Sequence, residues 1–155
     1  MAGPGLSPIR NSLSTLFLVG YLFSQNFIVT KYGNMIRERL FQFEKETTWQ
    51  DAGNGVQRQV FGYDDRVMLV KALFAKGGRG SLHSHPHSQV TYVESGVFEM
   101  TIGDQTRIIR KGDGYYVPPN AVHGCVCLEA GMLVDAFSPH REDFISADRL
   151  NNQVT

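Results

Sequence analysis

A chain of 155 residues with 15 basic and 15 acidic side chains carries no formal net charge, and no cluster of Lys or Arg stands out. That balance gives nucleic-acid binding little support, and the length suffices for one domain that buries its own core without covalent staples. The two cysteines, Cys125 and Cys127, are two positions apart; on one strand they would share a face at a spacing too wide for an unstrained bridge. No structural disulfide is expected, nothing argues for an oxidising compartment, and the expected location is cytoplasmic.

The amino-terminal segment does not match the rest. Residues 11–30 hold no charge, and residues 16–23 are strongly apolar. A membrane anchor is one reading, although Ser24-Gln25-Asn26 interrupts a run that barely reaches the ~20 apolar residues a span needs. A secretory signal is a second, with Arg10 ahead of the apolar run but no small-x-small cleavage site after it. The preferred reading is a translated upstream extension with initiation at Met35. Residues 1–34 then form an extension, and residues 35–155 the domain.

From Met35 the chain reads as short elements. Residues 35–48 alternate weakly and suggest a short helix followed by an edge strand. Residues 49–55 hold Asp51, Gly53, Asn54 and Gly55, a turn cluster. Residues 56–63 read as a strand, and Asp64-Asp65 as a turn. The apolar run 67–75 reads as a buried strand, broken by Gly77-Gly78-Arg79-Gly80. Strands follow at 89–93, 97–102, 106–110, 115–117, 122–128 and 132–137. Glu94-Ser95-Gly96, the hairpin signal Gly103-Asp104, Lys111-Gly112-Asp113, Pro118-Pro119-Asn120 and Glu129-Ala130-Gly131 separate them as turns. No helical period persists, so the pattern predicts an all-β sandwich or barrel; only residues 141–150 suggest a helix.

His83, His85 and Gln89 stand at even separations, which on an extended strand places them on one face. Two imidazoles and an amide oxygen on one face suit a divalent metal, and His123 is the candidate fourth ligand. The alternative is a pair of surface histidines beside a proline turn. Three neutral imidazoles and a neutral amide leave the metal's full charge in place, a strong Lewis acid. That set does not choose among Ni, Zn, Fe, Mn and Co. His87 shares the parity, but Pro86 argues for a bulge or a strand start there, so His87 reads as a rim residue near substrate or a solvated one.

Two spacings carry a family resemblance. Gly77-x5-His83-x-His85-x3-Gln89-x6-Gly96 resembles the first cupin motif, and Gly112-x5-Pro118-x-Asn120-x2-His123 the second. Gln89 stands where the general pattern has glutamate, and Asn120 where it has glycine. The resemblance implies a single-domain cupin, a double-stranded β-helix or jelly-roll barrel, with His83, His85, Gln89 and His123 as metal ligands.

Over residues 49–145 the chain resembles more narrowly the KdgF family of small cupins. The segments are His-Ser-His-Pro-His-Ser-Gln from His83, Pro-Pro-Asn-x-x-His-Gly-Cys-Val-Cys-Leu-Glu-Ala-Gly from Pro118, and Asp135-x-Phe137-x-Pro139-x-Arg141-Glu142-Asp143-Phe144. That family, as the resemblance implies, converts 4,5-unsaturated monouronates released by pectin and alginate lyases into linear 5-keto-4-deoxyuronates. By position, the acidic catalytic residue falls on Asp135 and the basic one on Arg141; Arg141, Phe137 and His87 are the candidate substrate-facing residues. A buried aspartate bonded to backbone and a solvated arginine are the plainer alternatives for Asp135 and Arg141. Cys125 and Cys127 read as small core hydrophobes. Tyr92, Phe98, Met100 and Phe137 read as core or pocket wall. Competing functions are a non-catalytic sugar-binding or regulatory cupin and a metal-dependent dioxygenase. The expected partners are the uronate and, by analogy with small cupins that pair through an edge strand, a second copy.

Overall fold

A computed structural model describes residues 41–145 and, by backbone alone, residues 28–29 and 35–36. The chain divides into two compact units, residues 1–37 and 38–155. In the first, β1 (Ile28–Val29) pairs antiparallel with β2 (Met35–Ile36). The readings of residues 1–34 as extension, signal or anchor fall outside the described residues. Among those described, no helix is long and apolar enough to cross a membrane.

Among its described residues the second unit is a β-barrel of eight strands: β3 (Gln50–Gly53), β4 (Val56–Tyr63), β5 (Met68–Phe74), β6 (Arg79–His83), β7 (Ser88–Ile102), β8 (Gln105–Arg110), β9 (Gly114–Val117) and β10 (His123–Ser138). A 3-10 turn at Glu44–Glu46 precedes them, and a helical turn at 142–145 follows a cis Ser138–Pro139 bond. The long strands β7 and β10 pair along their whole length and belong to both halves of the barrel. Their ends at 88–95 and 131–137 lie in the order β3-β4-β5-β10-β7-β9, and their other ends in the order β6-β10-β7-β8. All pairings are antiparallel, the jelly-roll plan the sequence predicts.

Three local expectations are corrected. Glu94-Ser95-Gly96 and Glu129-Ala130-Gly131 are not turns between strands; they are paired bulges at which β7 and β10 bend from one half into the other. Gly96 has φ +86°, and a Cβ there would stand 2.6 Å from the Glu129 carbonyl oxygen; a Cβ on Gly131 would collide with Ser95. The crossing therefore demands both glycines. The edge strand expected within 35–48 is β3, in the segment read as a turn; the tight turn is confined to Gly53-Asn54-Gly55, all at positive φ. The run read as a buried strand, β5, is buried on one face only: Met68, Val70, Ala72 and Phe74 are buried while Leu69 and Leu73 face outward, because only one face of this antiparallel sheet meets a core.

Two apolar clusters fill the barrel. The larger packs Phe98, Val93, Val117, Leu133 and Cys127 against Phe74, whose ring meets Phe98 edge-on at 5.3 Å. The smaller gathers Val60, Met68, Val70, Phe137 and Ile145. Both cysteines are buried and unbridged, as expected. Tyr92, expected in the core or pocket wall, points outward instead.

Candidate metal centre and the adjoining cavity

The four candidate ligands come from four structural pieces rather than one strand. His83 closes β6 and pairs directly with His123, which opens β10. His85 lies in the 84–87 loop, and Gln89 is the second residue of β7. Pro86, with no N–H to give a ladder, sits where the chain leaves one strand for the next. The Asn120 N–H donates to the His85 carbonyl at 2.7 Å, and Asn120 holds φ 64°, a left-handed conformation that asparagine tolerates in place of the general glycine.

The three rings crowd together, with centroids 4.3 Å apart for His83 and His123, 4.8 Å for His85 and His123, and 5.6 Å for His83 and His85. One ligand atom from each falls within 4.8 Å of the others. Backbone carbonyls fix their tautomers. Each Nδ1–H donates: His83 to Ser81 O at 2.8 Å, His85 to His87 O at 3.1 Å, His123 to Ala121 O at 2.9 Å. That assignment leaves the Nε2 lone pairs facing one another, the outer-shell device metal-binding histidines use. The buried His123 Nε2 has no hydrogen-bond partner. Burial pushes the His123 imidazole down to about 4 and lowers that of His85, keeping both in the neutral, ligating form.

Gln89 completes the case. Its amide NH2 donates to Thr91 Oγ1 at 3.1 Å and to Asp135 Oδ1 at 3.0 Å, which orients its Oε1 towards His85 Nε2, 3.1 Å away. At that distance the pair shares either the His85 ring proton or a cation held between them. Three imidazole nitrogens and an amide oxygen so arranged fit a divalent transition metal.

Behind the ligands, strand register builds a second feature. Val60, Val70, Asp135, Thr91 and Tyr115 stand in one row across β4, β5, β10, β7 and β9. The buried Thr91 hydroxyl donates to Asp135 Oδ1 at 2.6 Å. Burial raises the Asp135 carboxyl above the usual carboxylate range, opposed by the Thr91 and Gln89 hydrogen bonds and by Arg141. Burial also holds the Tyr115 phenol well above its ordinary value, so it remains a neutral hydroxyl interacting with Thr91.

A cavity of about 290 Å³ opens beside this row; His83, Gln89, His123, Asp135, Phe137 and Arg141 all line it. Arg141 is held by Asp143, with Nε–Oδ1 at 2.9 Å and Nη2–Oδ2 at 2.7 Å, and the guanidinium lowers the Asp143 carboxyl in return. Phe137 is buried and meets the His85 ring edge-on at 5.6 Å. His87 is not among the lining residues; its ring lies tilted against that of His85, with centroids 5.4 Å apart, and interacts with the His140 backbone.

Sequence reasoning did not single out Thr91, Tyr115 or Arg58, which also lines the cavity. Arg58 shares parity with the buried Val56 and Val60, a signal that was present. The partnership of Thr91 and Tyr115 with Asp135 depends on register between distant strands, which no local pattern encodes.

The barrel and its histidine cluster define a cupin, and residues 70–137 match the cupin domain family. The chain is 41% identical over 109 residues to the pectin degradation protein KdgF of Dickeya dadantii, covering 69% of this chain and 99% of that protein. Among solved structures, KdgF from Halomonas sp. superposes with a TM-score of 0.65 at 35% identity, over 67% of this chain and 98% of its own. An RmlC-like cupin from Shewanella frigidimarina gives 0.67 at 42% identity, over 69% and 96%. The chain belongs to the KdgF family of cupins.

Proposed function

We propose that this protein acts in the breakdown of pectin- or alginate-type polysaccharides, opening the ring of 4,5-unsaturated monouronates to the linear 5-keto-4-deoxyuronate. The observation that carries the reading is the shared amide of Gln89, which links the candidate metal seat to a single buried carboxylate, Asp135. Asp135 is the only carboxylate lining the cavity among the described residues.

The reaction needs no oxidant and no added water. The anomeric hydroxyl gives up its proton, the C1–O5 bond breaks as the C1 carbonyl forms, and O5 retains the electron pair as an enolate. A proton delivered to C4 then gives the C5 ketone, so every atom of the substrate is conserved. Asp135 suits both proton movements. Thr91 and Gln89 fix its carboxyl, and burial holds the protonated form to a higher pH than an exposed aspartate allows. Arg141, locked by Asp143 against the rings of Phe144 and Phe137, places a positive charge over the cavity for an anionic substrate. A bound divalent cation supplies Lewis-acid stabilisation to an oxygen that gains negative charge.

The test is Asp135→Asn. It preserves shape and the Thr91 contact, and should abolish most loss of the substrate's C=C absorbance while metal content stays that of the wild type. Full turnover in that variant sinks the assignment. Binding of a uronate without any turnover by the wild type points to a sugar-binding cupin instead.

A further inference from the structure

Asp135 and Arg141 line one cavity but are not held alike. Asp135 and Phe137 stand within β10, whose ladder closes at Ser138, and Arg141 follows three residues beyond it. An arginine on a segment without strand partners keeps several rotamers open unless side-chain contacts close them. The Phe144 N–H donates to the Arg141 carbonyl at 3.1 Å and folds the segment into its helical turn. Asp143 takes Nε and Nη2 of Arg141 in a bidentate pair, and the centroid of the Phe144 ring lies 4.3 Å from the Arg141 Cζ. Ile145, buried in the smaller apolar cluster with Phe144 packed against it, ties that ring down. The barrel supplies the other half of a clamp. Arg58 of β4, whose Nε donates to Oε1 of the buried Gln50 at 3.2 Å, lays its Cζ over the same ring at 4.0 Å. Arg141 most of all, and Arg58 with it, hold the Asp143 carboxyl below the usual range. One carboxylate thus compensates both cations, and Arg58 is engaged with the segment rather than offered to a ligand.

We propose that Arg58 is a positioning residue for Arg141. Through Phe144 and Asp143 it holds the helical turn against the barrel and fixes the Arg141 guanidinium at the cavity, and so governs how well an anionic sugar is received without itself touching it. Its effect on turnover rests on the uronate reading above, in which Arg141 meets the anion. A guanidinium on the inner face of β4, in register with the buried Ala72, loses hydration; the contacts of the clamp replace it.

The test is a double-mutant cycle at equal metal content. Arg58→Gln should lower kcat/KM for the unsaturated monouronate about fivefold, the scale of one lost cation–aromatic contact. It should lower it no further once Arg141→Gln is in place. A loss of the same size in both backgrounds would mean that Arg58 acts directly on substrate or on the fold, and no loss in the wild-type background that it does nothing for the site; either result overturns the assignment. Phe144→Leu, which removes the shared ring from the other element, should reproduce the Arg58→Gln result and serves if that variant does not fold. A second readout needs neither substrate nor turnover. In the nitrogen–proton NMR spectrum the Arg141 Nε–H, bonded to Asp143 at 2.9 Å, should give a slowly exchanging signal, identified by its loss in Arg141→Gln. That signal should broaden or vanish in Arg58→Gln. A signal unchanged by Arg58→Gln, or absent from the wild type, overturns the positioning role whatever the turnover. Should the wild type not turn over the uronate, a signal that depends on residue 58 keeps the positioning role after the reaction reading has fallen.

Discussion

Thr91 shows how much of the site turns on one hydroxyl. It is 1% exposed, donates to Asp135 at 2.6 Å and accepts from Gln89 at 3.1 Å, so a carboxylate and a candidate metal ligand are aligned by the same oxygen. Thr91→Val keeps the volume and removes both contacts. Unfolding free energy should fall by about 1–3 kcal/mol, the penalty for a buried polar group left unpaired, and turnover by about tenfold. Thr91→Ser should restore both in urea titrations and initial rates, and equal behaviour of Ser and Val would refute the alignment. A second prediction concerns His123 in chelator-treated protein. The folded imidazole accepts a proton only near pH 4, whereas the unfolded one accepts it near its ordinary value of 6.5. Between those values the unfolded chain binds more protons, so the metal-free protein should lose stability as pH falls from 6.5 towards 4. Denaturation midpoints that stay flat across that window would contradict the buried, neutral ring.

The two long strands are the elements that hold the molecule together. Since β7 and β10 pair from Ser88 with Ser138 through to Ile102 with His123, the candidate ligand His123 and the catalytic candidate Asp135 sit on one continuous strand bent at its bulge. Gly96→Ala should destabilise the fold by about 2–3 kcal/mol or more, since a methyl group at φ +86° would meet the Glu129 carbonyl. Phe98, fully buried against Phe74, should cost about 3–5 kcal/mol on truncation to alanine. A Gly96→Ala protein as stable as the wild type by thermal melting would mean that the crossing can relax. This is also the scale at which the sequence was hardest to read. The strands β4, β8 and β9 and the Gly103-Asp104 hairpin were legible from alternation and turn chemistry alone. The bulged crossing was not, because Glu-Ser-Gly and Glu-Ala-Gly have the same composition whether they reverse a chain or bend it. Histidine spacing singled out side chains that do converge, but through a different geometry from the single strand face expected. His83, His85 and Gln89 converge from β6, a loop and β7, brought together by the pairing of His83 with His123.

At the scale of the molecule, the barrel gathers its candidate groups around one cavity. Three imidazoles with carbonyl-fixed tautomers form the candidate metal seat, a buried carboxylate lies beside them, and Arg141 stands against the Phe144 ring. The family membership agrees with that arrangement, but fold alone does not specify it, since cupin barrels host many chemistries. The reaction proposed here consumes no oxygen, so anaerobic and aerobic rates should be equal; strict oxygen dependence would indicate a dioxygenase. The most direct measurement follows the C=C absorbance of an unsaturated monouronate with as-purified, chelator-stripped and metal-restored protein, with NMR of the product. The account predicts that stripping slows the loss to the spontaneous rate, that restoring a divalent metal recovers it, and that the product is the linear ketone. Undiminished acceleration by fully stripped protein, or a product that keeps the closed ring, would contradict it.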